Sequence, residues 1–149
     1  MDLRELREEI TEVIEDCRMY GIDKKCTVYF VCYEDEYHYS GYSINSEKIS
    51  YLDEKRIKSD LFNLLVELIE LDYQLNNVNF TRKMIIARAI WNVKGVSLKK
   101  LSEQSGVPLR TLENWNNGIR EPFVENLLKY VANLKLPTAP IITALNNGI

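Results

Sequence analysis

Residues 97–122, SLKKLSEQSGVPLRTLENWNNGIREP, constrain this 149-residue chain more than any other stretch. Apolar residues recur there at helical spacing twice, with a reversal between. Leu98 and Leu101 share one face of a first short helix, and Val107, Leu112 and Trp115 suit a second helix packed across it. Ser97 can cap the first helix; Lys100 stands three residues on where a capping box would need Glu or Gln. Gly106 suits the positive φ of a reversal, Pro108 the first turn of the second helix, and Gly118 its stop. Such a pair buries one face and leaves Leu109, Arg110, Glu113, Asn114 and Asn117 outward.

Two helices around a tight turn are the layout that places one helix in the major groove of DNA. The outward residues fit that use. Arg makes paired hydrogen bonds to guanine and Asn to adenine, so Arg110 and Asn114 are candidate base readers. Leu109 can press on a thymine methyl, and Glu113 can accept from a cytosine amino group or orient Arg110. Lys99, Thr111, Asn117 and Arg120 are candidate phosphate contacts, alongside the amide ends of both helices.

At Gly106, Val107, Thr111, Leu112, Trp115, Gly118, Arg120 and Pro122 the segment resembles the Cro/phage-repressor (XRE) type of helix-turn-helix domain. The resemblance spans about residues 80–136 and implies a bundle of about five helices. Residues 81–93 and 121–133 then match its first and fourth helices. Ile85, Ile86, Ala89 and Ile90 recur at helical spacing, as do Val124, Leu127, Leu128 and Val131. Three positions depart from the family pattern. Leu98 stands where Gln often touches phosphate, and Trp91 with Asn116 stand where an Arg–Glu pair is common. Because both members of that pair are missing together, a packed Trp91 is expected to replace it.

Charge divides the chain. From residue 81 onward ten basic residues face four acidic ones, a net of +6, which leaves nine basic and eighteen acidic residues, −9, in the first eighty. The basic half is suited to neutralising phosphate, whereas the acidic half is repelled by DNA and should face away from it.

The acidic half reads as α-β-β(-β)-α. A helix over residues 2–18 carries the stripe Leu3, Leu6, Ile10, Val13, Ile14, Cys17. Residues 26–33 alternate as a strand, 37–43 complete a hairpin, and 48–52 are a candidate third strand. Tyr29, Tyr33, Tyr37, Tyr39 and Tyr42 crowd that sheet, either as an interface surface or as the cover of a half-buried one. Residues 54–73 read as a long helix whose apolar stripe, widened by Phe62 and Val66, would meet a second copy or another part of the same chain. Tyr29, Tyr33, Tyr37, Tyr39, Phe62 and Val66 are therefore candidate partner or dimer contacts. Residues 74–79, QLNNVN, mark the expected boundary between an acidic α+β domain, 1–75, and the helix-turn-helix domain, 80–149.

The expected fold class is α+β. A single histidine, His38, leaves no His-centred base or multi-His metal site, and the chain has neither a glycine-rich phosphate loop nor a Gly-x-Ser-x-Gly elbow. No enzyme, metal or cofactor is expected. Three cysteines, Cys17, Cys26 and Cys32, form no CxxC and no even disulfide set, which suits reduced thiols in cytoplasm. No signal peptide or membrane-length apolar run is seen. The expected function is a dimeric, sequence-specific transcriptional regulator, a repressor bound to double-stranded DNA. The alternative is an antitoxin or a phage or mobile-element inhibitor: its acidic N-terminal half binds a protein partner, and the helix-turn-helix serves autoregulation.

Overall fold

A computed structural model describes residues 1–45 and 53–149. The first helix, α1 (Leu3–Tyr20), starts at a reciprocal cap. The Asp2 carboxylate accepts from the Glu5 amide at 2.8 Å, and Glu5 Oε2 accepts from the Asp2 amide at 3.0 Å. Its stripe of Leu6, Ile10, Val13 and Cys17 is buried. Three antiparallel strands follow, β1 (Lys25–Tyr33), β2 (Glu36–Ser43) and β3 (Glu54–Asp60), with β1 in the centre. The β1–β2 turn places Glu34 and Asp35 at φ +53° and +63°, the left-handed conformation that a two-residue hairpin demands.

Strand β3 corrects the expectation of a helix starting at residue 54. Ile57, Leu61, Leu64 and Leu65 do recur at helical spacing, but Ile57 pairs with Val28 across the sheet. Asp60 ends the strand by capping the next helix: its Oδ1 accepts from the Asn63 amide at 2.8 Å. The third strand expected at residues 48–52 lies outside the described residues.

Helix α2 (Leu61–Leu75) is buried nearly all round, through Leu61, Phe62, Leu64, Leu65, Val66, Leu68 and Ile69. A helix whose apolar face is this broad belongs in the middle of a molecule. It packs on α1 and the sheet, and also on α3 (Arg82–Lys94) and α7 (Ala139–Leu145). The width of its stripe is thus met within one chain. Phe62 and Val66, expected at a partner interface, are fully buried.

The remaining helices are α4 (Leu98–Ser105), α5 (Leu109–Asn116) and α6 (Val124–Asn133), so α3 to α7 make a five-helix C-terminal half. One apolar core runs through both halves, from Leu6 to Ala144. Two arginines cross between them. Arg18 of α1 donates to the Val93 carbonyl at 2.9 Å and the Asn92 carbonyl at 2.5 Å, closing the end of α3. Arg82 of α3 donates to Glu67 at 2.7 Å, Glu70 at 3.0 Å and the Ala144 carbonyl at 3.0 Å. The tail is docked: Ile141 and Ala144 are fully buried against the bundle.

Candidate nucleic-acid interface

The turn between α4 and α5 is fixed by four polar contacts. Gly106 takes φ +76° just after α4, the left-handed C-cap that its lack of a Cβ permits. Ser102 Oγ donates to the Val107 carbonyl at 2.6 Å, and Ser105 Oγ donates to the Leu101 carbonyl at 2.6 Å while accepting from the Val107 amide at 3.2 Å. From α6, Asn133 Nδ2 reaches the Ser105 carbonyl at 2.9 Å. Ser97 caps α4 by accepting from the Lys100 amide at 3.1 Å. Pro108 occupies the cap position of α5, one residue before the first turn in which it was expected.

Behind α5 lie Leu101, Leu112, Trp115, Leu127 and Tyr130, all buried; the Trp115 and Tyr130 rings meet edge to face at 5.6 Å. This packing fixes which side of α5 looks outward. Leu109, Arg110, Asn117 and Arg120 are exposed, and Thr111, Glu113 and Asn114 half-buried. Arg110 and Asn114 stand one helical turn apart on the same face. Lys99 is exposed on α4, and the neighbouring Leu98 packs on the core.

The segment after α5 is tightly held. The Asn114 carbonyl accepts from the Ile119 amide at 2.9 Å and the Arg120 amide at 3.2 Å. Gly118 takes φ +73°, and a Cβ there would lie 2.6 Å from the Phe80 ring. Asn116 is fully buried, its Nδ2 donating to the Leu112 carbonyl at 2.9 Å. Trp91 is half-buried and donates from Nε1 to the Val96 carbonyl at 2.7 Å. Arg88, one turn before Trp91, belongs to this site although it stands outside the 97–122 segment. Its guanidinium lies 5.0 Å from the Trp91 ring centre and donates to the Asn116 carbonyl at 2.6 Å, so a cation does tie α3 to the end of α5. The spacing of three residues between Arg88 and Trp91 was the available signal.

The N-terminal candidates are divided by a bulge in β2. Tyr29 pairs with Gly41 and Phe30 with Tyr39, which leaves Ser40 as the extra residue. Residues 39 and 42, on opposite faces of a regular strand, thereby both reach α1: Tyr39 donates to Glu9 at 2.5 Å and Tyr42 donates to Asp16. Burial, then the carboxylate hydrogen bond, pushes both phenols far up, so they remain protonated donors. Tyr29 is 2% exposed, bonded to Ser43 Oγ at 3.0 Å with Arg56 over its ring at 5.6 Å. Of the six expected partner contacts, Tyr29, Phe62 and Val66 are therefore interior and Tyr39 is half-buried. Tyr33 and Tyr37 are exposed, at 66% and 53%.

Among the described residues no three His, Cys, Asp or Glu cluster as a metal site, the three cysteines are free, and no helix is long and apolar enough to cross a membrane. No protein-family model, curated protein or solved structure matches this chain.

Proposed function

We propose that this protein is a sequence-specific DNA-binding transcriptional regulator of the cytoplasm, a repressor that binds as a dimer. The observation that carries the reading is the outer face of α5. Arg110 and Asn114, the two side chains with paired hydrogen-bonding capacity for purines, stand one turn apart there, on a helix whose other face is fixed by Leu112 and Trp115. Lys99 on α4, with Thr111, Asn117 and Arg120 around α5, supplies the cationic and hydrogen-bonding rim that phosphates require. A dimer would read two half-sites about one helical turn apart. Of the expected contact residues, Tyr33 and Tyr37 remain exposed for a protein contact.

Selection of bound fragments from a random DNA pool tests this directly, and a palindromic site is the expected product. On that site Arg110→Ala should weaken binding by about 1–3 kcal/mol and relax the preference at one base position. Unaltered affinity and preference would remove Arg110 from the base-reading role.

A further inference from the structure

The sheet is covered unevenly. Tyr39 and Tyr42 tie its β2 side to α1, while toward α2 the described residues leave a cleft of about 450 Å³ between the layers. Val28, Phe30 and Ile57 form its sheet wall; Leu64, Leu68 and Leu71 form its helix wall. That volume and that apolar lining are those of a small-molecule site.

Its polar groups are chemically biased. Glu67 and Glu70 line the cleft, and each gives one carboxylate oxygen to Arg82, at 2.7 and 3.0 Å. Two negative charges thus meet one positive charge beside an apolar wall. Both side chains keep about a third of their surface, 33% and 30%, in reach of solvent. The Tyr37 ring, also in the lining, already accepts a cation on its face, with Lys55 Nζ 5.7 Å from its centre. Apolar walls with an aromatic ring at the mouth favour a flat apolar body, and two carboxylates that share one guanidinium favour a cationic head.

We propose that the cleft between the sheet and α2 binds a small aromatic amine, its ring system between Phe30 and the leucines of α2 and its ammonium on Glu67 and Glu70. An ammonium there competes with Arg82 for the same carboxylates. Arg82 begins α3, on which α5 packs, so occupancy would reach the outer face of α5; that link alone rests on the DNA-binding reading.

The site is tested on the full chain without DNA, so its failure leaves the DNA-binding reading untouched. Fluorescence titration compares dansylcadaverine, a naphthalene bearing a primary ammonium, with dansylamide, the same ring system without it. Dansylcadaverine should saturate at one per chain and bind at least tenfold more tightly than dansylamide. Glu70→Gln should weaken it tenfold or more and leave dansylamide unchanged. Leu71→Trp, at a position 38% exposed and tolerant of bulk, should block both probes while the far-UV circular dichroism stays that of the parent. Equal affinity for the two probes overturns the proposal without recourse to any variant. So does binding that survives Leu71→Trp, or a dimer by light scattering that takes up no probe because a second copy fills the cleft.

Discussion

Cys17 and Cys26 face each other's surroundings between α1 and the sheet, each 2% exposed. Burial pushes the Cys17 thiol from an ordinary value of 9.0 up to about 12, helped by the Asp16 and Asp60 carboxylates, and pushes Cys26 up to about 11. The folded chain therefore holds these protons more firmly than the unfolded one. Their contribution to stability is complete below about pH 9 and is lost as pH rises toward 11 for Cys26 and 12 for Cys17. Urea unfolding at pH 8 and pH 10 should show a loss that Cys17→Ala lessens by about 1.4 kcal/mol, one pH unit of one thiol. An identical pH dependence in the variant would place Cys17 in water. Free thiols were expected from odd number and spacing alone, and all three are free, but only Cys17 and Cys26 are buried and Cys32 is half-buried. The role of Tyr39 was not legible, because it hangs on Ser40 being a bulge, and alternation within one strand carries no sign of its partner's register.

At the scale of elements, the helix pair α4 and α5 was readable because every determinant is local: Ser97, Gly106, Leu112, Trp115 and Gly118 lie within one short window and act on near neighbours. Strand β3 was not, since EKRIKSD has one strong apolar residue, Ile57, which satisfies a period of two or of 3.6 equally. Its assignment depends on β1 offering a free edge. The two glycines around α5 separate backbone strain from crowding. Both have positive φ, +76° at Gly106 and +73° at Gly118, but a Cβ at Gly106 meets open space and one at Gly118 meets Phe80. The Phe80 ring is itself held against Tyr73, edge to face at 5.0 Å, and cannot swing aside freely. Gly106→Ala should cost about 1 kcal/mol in urea unfolding and Gly118→Ala about 2–3 kcal/mol. A smaller cost at Gly118 would mean that Phe80 yields.

For the whole molecule, the charge division and the QLNNVN segment mark where the character of the chain changes, and the turn there is real: Asn77 has φ +55° after α2 ends. Packing across that point was illegible, because a broad apolar stripe on α2 looks the same whether a second copy or the chain's own α3 and α7 covers it. The continuous core, with Arg18 and Arg82 crossing it, implies that the halves unfold together. The natural probes are well placed to check this, since Trp91 and Trp115 lie in the C-terminal half and Cys17 and Cys26 in the N-terminal one. Tryptophan fluorescence and thiol labelling should give the same urea midpoint. Arg82→Ala strands Glu67 and Glu70 at partial exposure and leaves the Ala144 carbonyl only the Asn147 amide at 3.3 Å, so it should lower both midpoints together, with a loss of about 1–3 kcal/mol in stability after allowance for solvent screening. Arg82→Lys should recover only part of that, because one ammonium on a flexible stem cannot reproduce the planar fork that serves three acceptors at once. Midpoints that separate in the wild type would make the halves independent units; midpoints that separate only in Arg82→Ala would make this one guanidinium the coupling between them.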